Sequence, residues 1–263
     1  MDSEIQYLGD FEKGRADMDR CIEMAGQFWI CYLNRALIES RLGQYDQALQ
    51  DSDAYVRLCP EDANGYDLRG GVLYDLGRFE EAIREVDKAV ELAPQNAFYL
   101  MDRAGYVAHR PGGCSRARED IEKALELDPT NPDVLGSLAG THVVELAAFC
   151  PDLYDLRAAL RYARTALERS PNNELARGAL GMALYRSGSY AEALEHLEKA
   201  LAASGGGAGA RFYMAMEYWK LGRKAEARSS FDQAVAWMDE HNPKHPDLLR
   251  LRQEASSLLR RKF

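Results

Sequence analysis

The chain has 263 residues, 33 Lys and Arg against 42 Asp and Glu, and a net charge of -9, a balance that repels a phosphate backbone and argues against a nucleic-acid partner. With 46% hydrophobic residues it has the material for a core, which sets it apart from disordered chains. No stretch approaches the ~20 apolar residues of a membrane span, so no membrane association is expected. The cysteines, Cys21, Cys31, Cys59, Cys114 and Cys150, are odd in number and scattered without CxxC spacing. They read as free thiols of a reducing, cytoplasmic compartment, and the acidic start Met1-Asp2-Ser3-Glu4, with no apolar run behind it, predicts no export.

Residues 1–28 carry Leu8-Gly9-Asp10-Phe11 and then Met18, Cys21 and Met24. This reads as the second helix of a hairpin whose first helix is missing, a truncated unit of something longer. From residue 29 an internal repeat begins. Leu42-Gly43-Gln44-Tyr45 and Leu76-Gly77-Arg78-Phe79 lie 34 residues apart, and Ala48, Tyr55 and Pro60 recur as Ala82, Ala89 and Pro94 at the same interval. Six units follow, 29–62, 63–96, 97–131, 132–173, 174–207 and 208–241, with one extra residue near Pro111 and eight more around Cys150 to Asp155.

Within each unit Gly43, Gly77, Gly188 and Gly222 stand where a first helix must stop and the chain reverse, since glycine reaches the left-handed region at little cost. Prolines 60, 94, 129 and 171 follow the second helix, where a missing amide donor ends one helix and suits the approach to the next. The insertion at 149–155 is expected to bulge as a loop or to lengthen its helices. The run Ser204-Gly205-Gly206-Gly207-Ala208-Gly209 replaces the proline junction with either a hinge or a loose surface turn. Asn242-Pro243-Lys244-His245-Pro246 breaks the array. Beyond it Asp247 is expected to cap a last helix, 242–263, with Leu248, Leu251, Ala255, Leu258 and Leu259 on one face, the cap a solenoid needs.

This pattern resembles the tetratricopeptide repeat family, whose 34-residue helix-turn-helix keeps small residues where its two helices touch and a proline before the next unit. The matching positions are Gly70, Ala82, Ala89 and Pro94 in the second unit and Gly181, Ala193 and Ala200 in the fifth. The resemblance implies an all-α, right-handed superhelical solenoid over roughly residues 5–241 with a C-terminal capping helix. The segment Ala234 to Met238 followed by Asn242-Pro243-Lys244 is similar to repeat tails of bacterial serine/threonine kinases, so the tail of a larger signalling protein is one expectation.

Laying the units over one another isolates position 7 of the first helix, which is Arg35, Arg69 and Arg103 in the first three units and Leu138, Leu180 and Met214 in the last three. Position 23, on the second helix, is Asp51, Glu85 and Asp120 where the arginine occurs, and Tyr162, His196 and Ser230 where it does not. A guanidinium in a helix interface requires a charge partner, so a half-buried ion pair is expected in each early unit, with a row of anion-binding arginines as the alternative. Asp17 falls at position 23 of the truncated unit.

Chemistry is sparse. Histidines 109, 142, 196, 241 and 245 form no ligand set: His241 and His245 are close, but Pro243 intervenes and no carboxylate or cysteine cluster completes them. No hydrolase elbow, phosphate loop or metalloprotease helix is present; no enzyme activity, cofactor or metal is expected.

In the tetratricopeptide family the first helices line a concave surface where peptides bind through positions 2, 5, 6, 9, 12 and 13. The resemblance therefore implies a groove with Asn34, Leu37 and Arg41, then Asn64, Asp67, Tyr74 and Asp75 in its early half. Met182, Tyr185, Arg186, Phe212, Tyr213, Met216, Trp219 and Lys220 form a late half rich in aromatics and methionine. The expected partner-binding residues are Asn34, Arg41, Tyr74, Met182, Tyr185, Phe212, Tyr213, Met216 and Trp219; the alternative for the aromatics is packing against the adjacent unit. The carboxylate clamp of chaperone-tail-binding members is not reproduced: Asn34 matches its second asparagine, but Leu33 and Leu37 or Asn64 and Leu68 stand where the other clamp residues are needed. The expected function is a protein-interaction module taking a protein or peptide on its concave face. A scaffold or self-association domain without a used groove is the alternative.

Overall fold

The structure, a computed structural model, describes residues 2–204 and 207–260. The side chains of Leu8 and Asp10, and Gly205 and Gly206 of the fifth junction, lie outside the described residues. Among the described residues every regular element is helical. Helix α1 (Asp2–Met24) precedes six helix pairs: α2 (Trp29–Arg41) with α3 (Tyr45–Leu58), α4 (Ala63–Asp75) with α5 (Phe79–Leu92), and α6 (Ala97–Ala108) with α7 (Cys114–Leu127). Then come α8 (Pro132–Thr141), the single turn α9 (Ala147–Phe149) and α10 (Leu156–Arg169); α11 (Glu174–Ser187) with α12 (Tyr190–Ser204); α13 (Ala208–Lys220) with α14 (Lys224–His241); and finally α15 (Pro246–Leu259).

Local chemistry sets these boundaries. The side chains of Asp62, Asn96, Asn131, Asp155 and Asn173 each accept from an amide of the first turn that follows, the donors a helix start leaves without an internal partner. Gly43, Gly77, Gly188 and Gly222 end their helices with φ of 74°, 72°, 89° and 78°. Inside the pairs small residues set the approach: a Cβ on Gly181 would sit 2.6 Å from Leu197 Cγ and 3.2 Å from the carbonyl of Ala193.

First helices pack on one another from unit to unit, while successive second helices make no comparable contact. The first helices are thus the inside of a curved, right-handed stack and the second helices its outside. The insertion in the fourth unit does both things expected of it: α8 runs on through a π-helical stretch, His142–Leu146, into α9, and residues 150–155 form a loop.

The cysteines correct the expectation of free thiols. Cys21 bonds Cys31 and Cys114 bonds Cys150, with Cα separations of 6.0 and 5.6 Å; Cys59 alone is free. The partners are 10 and 36 residues apart and meet only because the fold apposes α1 to α2 and the insertion to the start of α7. The cysteines therefore do not point to a reducing compartment. No helix among the described residues is long and apolar enough to cross a membrane.

The repeated arginines do more than pair within a unit. Arg35 donates to both oxygens of Asp51 at 2.6 and 2.7 Å, and its remaining terminal nitrogen reaches Asp19 on α1 at 2.7 Å. Arg69 bonds Glu85 at 2.9 Å and Asp53 at 3.0 Å. Arg103 bonds Asp120 at 2.9 and 2.6 Å and Asp87 at 3.1 Å. Each guanidinium thus joins a first helix to the second helix of its own unit and to that of the unit before. The Asp120 hydrogen bond outweighs burial and holds Arg103 charged more firmly than usual. Asp17 takes no part: it is largely exposed and meets Arg20 at 3.8 Å. The ladder stops where Leu138 replaces arginine, and Leu138, Leu180 and Met214 are buried in its place.

One buried acid has no such partner. Glu217 on α13 is fully buried with neither carboxylate oxygen hydrogen-bonded. Burial, with a contribution from Glu198, pushes its carboxyl up to about 9.

Two outcomes are expected. Arg103→Ala leaves the buried Asp120 unpaired and should lower stability in urea unfolding by about 3–5 kcal/mol; Arg103→Leu with Asp120→Leu should regain most of it. A double variant as unstable as the single one would show that the charges themselves are needed. For Glu217 the folded carboxyl keeps its proton to about pH 9 while the unfolded one releases it near 4.5, so stability falls as pH rises between those values. Glu217→Gln should match the native chain at pH 4 and exceed it by more than about 1 kcal/mol at pH 8; a pH-independent difference contradicts the assignment.

Candidate partner-binding groove

Because the first helices line the inside of the stack, position 13 of each unit forms a column along the groove: Arg41, Asp75, His109, Val144, Arg186 and Lys220. The chain's own C-terminal segment lies against the middle of this column. Asn242 donates its side-chain amide to the carbonyl of Asp75. His109 Nε2 and Asp247 Oδ2 are 2.9 Å apart, and the Tyr74 hydroxyl donates to the same carboxylate at 3.4 Å. Arg250 donates to the Val144 carbonyl at 3.3 Å. Arg186 donates to both oxygens of Glu254 at 2.6 and 3.0 Å. Residues 247, 250 and 254 are spaced three and four apart, so one face of α15 meets the third, fourth and fifth units in turn.

The apolar side of α15 completes the seat. Leu251 and Ala255 are buried in the C-terminal core cluster, with Leu248, Leu258 and Leu259 packed partly against it. The predicted apolar face is thus present, and the helix packs on α13 and α14 as an end cap does. The predicted cap residue is corrected: His245 precedes the helix and its Nδ1 accepts from the Asp247 amide at 3.2 Å. Asp247 is one residue inside, its carboxylate turned across the groove. Burial pushes that carboxyl up, but the hydrogen bond from His109 and the nearby charge of Arg250 outweigh it and leave it below the usual range.

The early and late ends of the solenoid meet at the same place. The ring of His241 lies against Gly43, where a Cβ would come within 2.5 Å of it, and Pro246 lies 3.1 Å from the Cβ position of Gly77. Between α15, α14 and the first helices remains a cavity of about 380 Å³ lined by Tyr45, Tyr74, Asp75, Met182 and Trp237 among others. Burial pushes the Asp75 carboxyl up to about 7.

The predicted site residues divide accordingly. Asn34 is half-buried and Arg41 exposed, both at the early end beyond α15. Tyr74 sits under the start of α15, stacked on Tyr106 at 4.7 Å and edge-on to His109. Met182 faces the cavity. Tyr185 and Tyr213 are buried around Arg186, which donates to the Tyr213 hydroxyl at 3.2 Å as well as to Glu254 on α15. Phe212, Met216 and Trp219 are core residues: Phe212 meets Phe231 of α14 edge-on at 5.7 Å, Met216 takes a weak bond from the Tyr185 hydroxyl, and Trp219 lies under Lys224. All three lie on a first helix, Phe212 and Trp219 against the second helix of their own unit and Met216 against the first helix of the unit before.

Sequence reasoning missed His109 and Asp247. His109 was findable, since it occupies position 13 of the third unit; nothing local in the sequence pairs it with a residue 138 positions away.

Profiles of the tetratricopeptide repeat match residues 33–97, 68–132, 152–208 and 184–253. No curated protein matches the chain significantly. Among solved structures, the Cut9-Hcn1 hetero-tetramer of APC/C contains a chain 14% identical, with a TM-score of 0.60 over 94% of this chain and 46% of that one. The present chain thus spans less than half the length of that relative. A tetratricopeptide repeat protein from Parabacteroides merdae is 14% identical, with a TM-score of 0.57 over 97% and 96% of the two chains. A thermophilic repeat protein of Thermus thermophilus, TTC0263, is 24% identical, with a TM-score of 0.56 over 75% and 98%. These likenesses carry the fold, and with the repeat profiles covering well over half of the sequence, the chain belongs to the tetratricopeptide repeat family.

Proposed function

We propose that the protein is an interaction module that takes a segment of a partner protein along its concave face. The family is one of protein-interaction scaffolds, and the observation that supports this groove in particular is α15 itself. The inner face accepts a helix through polar contacts from the second to the fifth unit, from Tyr74, His109, the Val144 carbonyl and Arg186, with apolar side chains seated between, the manner in which grooves recognise amphipathic helices. Of the residues expected from the sequence, Asn34, Arg41, Tyr74 and Met182 supply contact surface. Tyr185 and Tyr213 supply it around Arg186 where α15 now lies, and Phe212, Met216 and Trp219 shape the wall from behind.

The reading predicts where a partner touches. A photo-crosslinking amino acid placed at Arg41 or at Met182 should capture the partner in a lysate of the source cells. The same group at Glu195, on the outer helix α12, should not. Crosslinks from position 195 alone would place the interaction on the convex face and remove the groove from the account.

A further inference from the structure

Resting on that reading of the groove, we infer that α15 is a resident competitor and that the partner is an amphipathic helix with its charge pattern: an acid in the first turn, leucines one and four residues later, and a second acid seven residues after the first. In α15 these are Asp247, Leu248, Leu251 and Glu254. The first acid reads His109 and Tyr74, and the second reads the guanidinium of Arg186. Two turns of helix separate the acids, which puts both on one face with the leucines beside them.

Two observations mark α15 as an imperfect ligand of its own groove, and its tether sets what a competitor must exceed. The Nε of Arg186 is buried without a hydrogen-bond partner, so this groove guanidinium retains donor capacity that the resident helix does not use. A buried donor left unmade is a standing penalty that a better-fitting ligand relieves. The apolar contact is partial: Leu251 is buried, while Leu248, Leu258 and Leu259 are only partly so. Finally, α15 is joined to α14 by only four residues, 242–245, containing Pro243 and held across the groove by Asn242. A short tether keeps the helix near its seat at high effective concentration, so an outside ligand must exceed it in contact quality.

The occupant fits in sign. Arg186 loses its carboxylate when α15 departs, and a helix that covers it again without an acid would leave a desolvated, unpaired guanidinium. An incoming helix must therefore bring an acid to that point.

The test uses the full chain and its Asp247→Ala, Glu254→Ala variant, each titrated with a fluorescein-labelled synthetic peptide of residues 243–260. The variant, confirmed as folded by circular dichroism, should bind the peptide at least tenfold more tightly than the native chain, whose own helix competes. Adding Arg186→Ala to the variant should weaken that binding at least tenfold. Equal affinity for native chain and variant would overturn the competition while leaving the proposed groove standing, because the crosslinks from positions 41 and 182 test the groove independently. No binding to the variant, or a variant that fails to fold, would make α15 part of the core and overturn the inference. A dimer of the native chain in sedimentation velocity would place α15 in a second copy and likewise overturn it.

Discussion

The structure depends first on the arginine that joins three helices. In each early unit one guanidinium bonds an acid of its own hairpin through two nitrogens and an acid of the preceding one through the third. A planar fork with fixed donor directions holds both neighbours at a set angle, which a point charge such as lysine would not do. The half-buried site leaves no freedom to omit a partner, since an unpaired charge there is strongly destabilising. Beyond the third unit Leu138, Leu180 and Met214 take the arginine's place, buried where the helices meet.

That geometry has a consequence at the far end of the chain. The early turns come round to meet the end of α14, and Gly43 and Gly77 serve there twice. Each supplies the left-handed turn that ends a first helix, and each leaves room for an incoming ring, His241 on Gly43 and Pro246 on Gly77. A side chain at either position would strain the turn and push the two ends apart. With the ends in contact, the C-terminal segment is delivered into the groove, where Asp247 finds a histidine and a tyrosine already fixed by stacking among Tyr74, Phe79 and Tyr106. The groove is thus built from rigid helices but filled by an element that hangs on a four-residue tether.

Much of this was legible in the sequence, and what was not has a physical pattern. The 34-residue period, the turn glycines and the arginine–acid column are local or repeat at fixed intervals, so one chain read against itself reveals them. The second acid of each rung is equally periodic, since Asp19, Asp53 and Asp87 recur at the same interval, but it pairs with the arginine of the following unit, a relation that positions within one unit do not show. Phe212 and Trp219 fall on the correct helix, but a one-dimensional position does not say which neighbour a side chain meets. The disulfides and the seat of α15 join residues that only the superhelix brings together, and no spacing rule anticipates contacts set by accumulated curvature.

The claim on which the rest turns is that α15 rests in the groove through its acids, and a double-mutant cycle between Arg186 and Glu254 tests it most directly. Both partners are less than one-third exposed and bonded through two nitrogens. Unfolding of the native chain, Arg186→Ala, Glu254→Ala and the double variant should give a coupling above about 1 kcal/mol that persists in moderate salt. A coupling within about 0.3 kcal/mol of zero would mean that the two side chains do not meet in solution and that the groove stands open.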